Sequence, residues 1–352
     1  MYKPDFHISN DLLNVIAKIE AVRSKIAMSY ILPAREVEMR YRATVEATYS
    51  STSIEGNPLN MKQVELALSN KPSLTRHRYA EIEVKNYKKA IDHVEKRAAS
   101  GERMTTEDIL AVQGIIIEGL LDESRVGHWR KNPVYISNQD GGTLYDAADA
   151  KDVEIEIEKL LAWLNSDSYD IHPVIASAIF HIHFVSIHPF ADGNGRTTRM
   201  LTMFYLSLRE YDFRNALVLD TYYAMDKRAY YDVLHIVQGP NYEAARNACL
   251  DPWIEYFADG FLVSANVLEA EVTLLANSVR VPEIEANISR DEVDILSYIQ
   301  QFGSITISEA EGIFRDVSRR TIQRRLKRLV DAGYIKLDGA THDARYIAND
   351  GK

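Results

Sequence analysis

Apolar residues recur along most of this chain at helical rather than strand spacing. Leu12, Leu13, Ile16, Ile19 and Val22 lie three or four apart, behind Asn10 or Asp11, either of which can cap a helix through its side-chain oxygen. Pro33 suits a first helical turn, and the pattern from Ala34 to about Ser53 predicts a second helix. Glu55-Gly56-Asn57-Pro58 then stops it and turns the chain. Further helices are predicted over about 61–69, 76–98, 105–120 and 152–165, with Thr105 and Asp108 spaced like a capping box. Residues 172–187 are apolar almost all round, as expected of a helix at the centre of a bundle. A long helix is predicted over roughly 252–279.

Two stretches depart from this rhythm. Residues 133–146 place β-favouring side chains on either side of Asp140-Gly141-Gly142, which predicts a small hairpin. Beyond a boundary near Val281-Pro282, apolar positions predict three short helices. Val293, Ile295, Leu296 and Ile299 mark the first. Ser308, Ala310, Ile313 and Phe314 mark the second, and the basic stretch 318–332 forms the third. Tyr334-Ile335-Lys336-Leu337, Asp338-Gly339 and Arg345-Tyr346-Ile347 close them with a hairpin, which is the winged-helix order. The expected fold is all-α with a small β-hairpin. Its domains are 1–280, with a core at about 105–260, and a winged helix at 281–352.

Composition narrows the function classes. At 352 residues, about 150 per domain gives two domains or three, with cores that need no staples. The single cysteine, Cys249, excludes an internal disulfide framework and a thiolate metal cage. The opening MYKPDFHISNDLLNV has no basic region followed by an apolar run, and no apolar run reaches the roughly 18 residues that span a bilayer. The expectation is a soluble, cytoplasmic protein with no membrane partner. A net charge of −10 argues against a chain-wide nucleic-acid coat, but its distribution is uneven. Residues 289–352 are net +1, and Arg319, Arg320, Arg324, Arg325, Lys327 and Arg328 cluster with no acid between Asp316 and Asp331. Ile322, Leu326 and Leu329 form that helix's apolar stripe, so Arg320, Arg324 and Arg328 face outward. Contact with duplex DNA and protein docking or dimerisation both remain open for this helix.

The chemistry concentrates in His188-Pro189-Phe190-Ala191-Asp192-Gly193-Asn194-Gly195-Arg196-Thr197-Thr198-Arg199. A buried helix ends at Ile187 and Pro189 prevents its continuation. Gly193 and Gly195 allow tight backbone geometry where a new helix starts, with its apolar stripe at Leu201, Phe204, Tyr205 and Leu208. Arg196 and Arg199 share a face away from that stripe. Free amides at a helix N-terminus, with its positive dipole end, make an anion site, and arginines add bidentate phosphate contacts. Asp192 can hold a hard cation such as Mg²⁺. His188, ordinarily near pKa 6.5, can serve as a general base at neutral pH. His181 and His183, two apart, point to different helix faces, so core packing rather than metal binding is expected of them.

The run resembles the Fic (Fido) family motif, HPFx(D/E)GNGRxxR, at every specified position. The resemblance covers roughly 30–280 and implies a helical core with a hairpin flap, transferring AMP from ATP to a Ser, Thr or Tyr hydroxyl of a target protein. It implies that His188 deprotonates the hydroxyl and that Asp192 binds Mg²⁺. Gly193, Asn194 and Gly195 would cradle phosphates, with Thr197 and Thr198 beside them, while Arg196 and Arg199 grip the β and γ groups. Phe190 would anchor the loop. The flap around Ile136, Ser137, Asn138 and Gln139 would dock the target and cover the nucleotide. Tyr230 occupies the position of a family nucleotide contact, and Gln238 stands where some relatives carry Asn.

Ser51-Thr52-Ser53-Ile54-Glu55-Gly56 is similar to the family's inhibitory pattern, (S/T)xxxE(G/N). The resemblance implies that Glu55 pairs with Arg199 and competes with the γ-phosphate. What it implies is a self-inhibited adenylyltransferase that also modifies itself; surface helices could support a homodimer, which nothing in the pattern demands. Three other activities fit the same residues: removal of AMP with Glu55 positioning a water, transfer of another nucleotide moiety, and a DNA-binding regulator sensing nucleotide through this core.

Overall fold

The computed structural model describes residues 2–69, 77–137, 143–277, 289–314, 317–339 and 345–349. Contacts divide the chain into two compact units, 1–27 with 40–268, and 28–39 with 269–352. The first is helical throughout apart from one hairpin. It contains α1 (Asn10–Met28), most of α2 (Pro33–Ile54), α3 (Met61–Leu68), α4 (Arg78–Ala98) and α5 (Thr106–Ile117). The hairpin β1 (Tyr135–Ser137) and β2 (Thr143–Asp146) follows, then α6 (Val153–Leu164), α7 (Pro173–Ile187) and α8 (Asn194–Leu208). Short helices α9 (Asp220–Met225), α10 (Lys227–Gln238) and α11 (Tyr242–Arg246) lead into α12 (Asp251–Asn277).

The all-apolar pattern of α7 has the consequence expected of it: every residue from Val174 to Ile187 is buried. Helices α6, α8, α10 and α11 pack around it. Trp253 on α12, fully buried, donates Nε1 to Ala178 O at 2.7 Å. Burying a Phe or Leu side chain contributes about 1.5–3 kcal/mol each, and α7 with its neighbours supplies Phe180, Phe184, Leu160, Leu164, Leu201 and Phe204 to one core. Both expected core histidines lie here. His181 is hydrogen-bonded to Thr202 and Tyr230, each at 3.1 Å, and His183 stacks on Tyr2 with ring centroids 3.8 Å apart. Neither joins a group of possible metal ligands among the described residues.

The hairpin is antiparallel, with Tyr135 opposite Asp146, Ile136 opposite Tyr145, and an irregularity between Ile136 and Ser137. Its turn, Asp140-Gly141-Gly142, lies outside the described residues, as does the expected boundary at Val281-Pro282.

In the second unit the order is α13 (Arg290–Phe302), β3 (Ser304–Ile305), α14 (Ile307–Ile313), α15 (Arg319–Asp331), β4 (Ile335–Asp338) and β5 (Arg345–Ala348). Strand β5 lies between β3 and β4 in an antiparallel sheet. Ile295, Ile299, Ile305, Ala310, Ile322, Leu326, Leu329 and Ile335 form its core. Strand β3 was not expected. Two residues are too short for a sequence pattern, and their partners Tyr346 and Ile347 lie some 40 positions away. Among the described residues, no helix is long and apolar enough to cross a membrane.

Candidate active site

The segment between α7 and α8 is held rigid from below. His188 ends α7 in the left-handed region, φ 52°, with its amide donating to Phe184 O at 3.2 Å. Arg130, buried, then collects the loose carbonyls at this helix end. Its Nε donates to His188 O at 2.7 Å, and its Nη2 to Ile187 O at 3.3 Å and to Ala148 O. A cation at a helix C-terminus is stabilised by the dipole as well as by these bonds. The Arg130 amide donates to Pro189 O at 3.0 Å, and Trp129 stacks on Phe190.

Asn194 braces the loop internally. Its Oδ1 accepts from the Phe190 amide at 2.9 Å and its Nδ2 donates to Phe190 O at 2.8 Å. Buried Gln113 adds a third support, donating to Asp192 O at 3.3 Å and accepting from the Gly127 amide at 2.6 Å. Gly193 sits at φ 79°, and a Cβ there would meet Ile117 Cδ1 at 2.8 Å, so a larger residue would strain the backbone and displace Ile117. Beyond it, α8 leaves the amides of Asn194, Gly195 and Arg196 without intrahelical acceptors.

His188 Nδ1 faces Val185 O at 3.1 Å. A carbonyl only accepts, so Nδ1 carries the hydrogen and Nε2 keeps its lone pair. Burial pushes the imidazole down to about 4, against the Val185 bond that favours the charged form. The ring is therefore neutral at physiological pH, further from 6.5 than the sequence alone indicates, because the loop encloses it.

Asp192 is half exposed. Its Oδ1 accepts from the Gly193 amide and from Arg196 Nη2, at 3.3 Å in the latter case, while Oδ2 has no hydrogen bond among the described residues. An exposed carboxylate oxygen of this kind is the hard donor that Mg²⁺ takes in small number alongside water and phosphate.

The two arginines do not face open solvent. Arg199 is 2 % exposed, held under the end of α2. Its Nε donates to Ser51 Oγ at 2.8 Å and lies 3.0 Å from Asp220 Oδ1. Its Nη2 donates to Ser51 O at 3.0 Å and to Glu55 Oε1 at 2.8 Å. Burial opposes the charge, but Glu55 and Asp220 hold the guanidinium firmly protonated. The Glu55 carboxylate also overlies the start of α8: a Cβ on Gly195 would fall 2.3 Å from Glu55 Oε1. Gly56 continues that turn at φ 94°. Arg196 pairs with Glu83 on α4 at 2.5 Å.

The remaining expected site residues fall differently. Thr197 and Thr198 are buried, and the Thr198 hydroxyl bonds back to Asn194 O at 2.7 Å. Tyr230 is 1 % exposed, stacked on Tyr223 with its hydroxyl on His181, so its side chain belongs to the core. Its neighbour Tyr231 is the exposed member of the pair. Gln238 is buried and donates to Ser186 Oγ at 3.1 Å. Ile136 packs against Tyr145, Ala147 and Ala245; Ser137 pairs through its backbone with Thr143; Asn138 and Gln139 lie outside the described residues.

Residues 103–206 match the model of the Fic/DOC family. Among curated proteins, a protein adenylyltransferase Fic of Drosophila willistoni is 28 % identical over 53 % of this chain and 36 % of its own length. That of Culex quinquefasciatus is 25 % identical over 69 % of this chain and 45 % of its own. The chain thus spans less than half the length of these relatives. The fold is similar to the crystal structure of a Fic family protein from Desulfovibrio desulfuricans G20, with a TM-score of 0.66 and 22 % identity, covering 100 % of this chain and 99 % of that one. Within the matched stretch, the motif residues are legible as a contiguous run. Arg130, Gln113, Glu83 and Asp220, which hold that run in shape, carry no local signal.

Proposed function

We propose that the chain is a self-inhibited protein adenylyltransferase, moving AMP from ATP to a Ser, Thr or Tyr hydroxyl of a target protein. The observation that carries this reading is His188, a neutral imidazole whose Nε2 has no hydrogen bond among the described residues, in the loop that leads into the open amides of α8. In the proposed reaction the hydroxyl oxygen attacks the α-phosphorus and the bond to the β-phosphate oxygen breaks. The hydroxyl proton passes to His188 Nε2, and pyrophosphate leaves with the electron pair. The amides of Asn194, Gly195 and Arg196 hold phosphate oxygens, and the two arginines take the β and γ groups. Asp192 Oδ2 would hold Mg²⁺, which screens polyphosphate charge when bound.

Glu55 supplies the restraint. Its carboxylate lies on the guanidinium that the γ-phosphate needs, and two anions cannot share it without repulsion. Incubation with α-labelled ATP and Mg²⁺ tests the whole reading: the protein with Glu55→Gly acquires label at least about tenfold faster than the wild type. An unlabelled variant contradicts it.

The depressed histidine sets the pH response. The neutral base is present above its pKa and lost as pH falls through it. Transfer by the Glu55→Gly variant should therefore stay flat from about pH 6 to 8 and fall only toward pH 4. A midpoint near 6.5 in initial rates would show that His188 is not the enclosed base described.

For the tail we extend the proposal to a winged helix that contacts duplex DNA, supported by its helix–strand–helix–helix–strand–strand order. The basic helix is less free than its sequence implies. Arg319, Arg325 and Arg328 pair with Glu311, Asp291 and Glu292, acids from α14 and α13 that sequence spacing does not reveal. Arg320, Arg324 and Lys327 are exposed and have no ion pair among the described residues. Three phosphate contacts give a slope of about −3 in log affinity against log salt. A flat response, or no binding, contradicts the DNA role.

A further inference from the structure

One turn reaches both motif arginines. Glu55 engages Arg199 directly. Two residues on, Asn57 donates Nδ2 to Glu83 Oε2 at 2.7 Å, and the other oxygen of Glu83 accepts from Arg196 Nη1 at 2.5 Å. Asn57 is itself fully constrained. Its Nδ2 also donates to Ala80 O at 3.0 Å, its Oδ1 accepts from the Leu59 amide at 3.0 Å, and its own amide donates to Thr52 O at 3.1 Å.

Arg196 is held unequally on its two edges, by buried Glu83 at 2.5 Å and by the more exposed Asp192 at 3.3 Å. Glu83 binds Nη1, and the Nη2 edge is directed at Asp192, beside the open end of α8. Both partners of the Glu83–Arg196 pair are largely buried, with side chains 15 % and 7 % exposed. A guanidinium anchored on one edge by a buried carboxylate loses little freedom when its other edge takes a phosphate.

The geometry points to Glu83, oriented by Asn57, as the residue that positions Arg196 for the nucleotide's phosphates, and to a turn that must stay in place while nucleotide is bound. Inhibition is then lifted by rotating the Glu55 side chain away, not by displacing α2. Withdrawing the turn would free Arg199 but break the Asn57–Glu83 bond and leave Arg196 unaimed. This rests on the reading of the site as a nucleotide site, but not on which group is transferred.

Calorimetry with a non-hydrolysable ATP analogue and Mg²⁺ tests it without requiring turnover. In the Glu55→Gly background, Glu83→Gln and Asn57→Ala should each weaken binding by about tenfold, the scale of one charge-assisted hydrogen bond. The double variant should be little worse than Glu83→Gln alone, because both act through one chain of contacts. With Glu55 intact, Asn57→Ala should gain no affinity. Where transfer is measurable, the KM for ATP should rise while kcat changes by less than about threefold, since His188 is untouched. Unchanged affinity in both single variants overturns the proposal, as does full multiplication of their effects. Tighter binding by Asn57→Ala with Glu55 intact overturns the fixed turn. Failure of Glu55→Gly to transfer label while these affinity shifts appear would instead refute the adenylyl-transfer reading alone.

Discussion

Replacing Glu55 with glycine should raise AMP transfer by on the order of 10- to 100-fold, which corresponds to about 1.4–2.8 kcal/mol at the transition state. The substitution is not expected to unfold the chain, and Asp220 is the reason. Stripping a buried cation of its partner costs about 3–5 kcal/mol where nothing else compensates it. Arg199 keeps Asp220 at 3.0 Å and both Ser51 oxygens, so its charge stays balanced when Glu55 is gone. Glu55 itself follows the last residue of α2 and its side chain is 28 % exposed, so little packing is lost with it. The carboxylate is therefore removable in a way that Ser51 and Asp220 are not. The substitution also clears the oxygen that overlies Gly195, opening the first turn of α8. Thermal melting beside label incorporation checks both halves: a variant that melts within a few degrees of wild type but transfers far faster.

The second large effect is the loss of the base. In the Glu55→Gly background, removing the His188 imidazole should lower transfer by about 10²- to 10⁴-fold, the usual contribution of a positioned acid–base group. Asparagine is the better replacement. Residue 188 sits at φ 52°, a left-handed conformation that costs most side chains about 1–2 kcal/mol and that Asn tolerates. His188→Asn preserves the backbone contacts that shape the loop, the amide to Phe184 O and the carbonyl taken by Arg130. Nucleotide binding by calorimetry should then persist while transfer disappears. Retained transfer would mean that another group accepts the proton.

The sequence carried the fold where elements are long and periodic. Helices α1, α2, α4 and α8 repeat apolar residues over several turns, and α7 is apolar throughout, so each was legible. Helices α9, α10 and α11 are absent from the sequence-based expectations; α9 and α11, at 6 and 5 residues, are too short to repeat an apolar pattern. The site followed the same rule. His188 to Arg199 is contiguous, and contiguity is what sequence displays. Glu83 reaches Arg196 across 113 positions and Arg130 reaches His188 across 58, contacts that only the packing of α4, α5 and the hairpin region creates. Tyr230, whose position in the chain resembles a nucleotide contact, also has a partner that the sequence does not display: its hydroxyl meets buried His181.

In the proposed mechanism, Glu55 on Arg199 withholds AMP transfer by His188. The most direct measurement incubates wild type, Glu55→Gly and Glu55→Gly/His188→Asn in parallel with Mg²⁺ and ATP labelled at either the α- or the γ-phosphate, and then counts label on protein. Label from the α position is expected on Glu55→Gly at least about tenfold above the other two proteins, and none from the γ position. Label from the γ position, or equal α label on all three proteins, would contradict this mechanism.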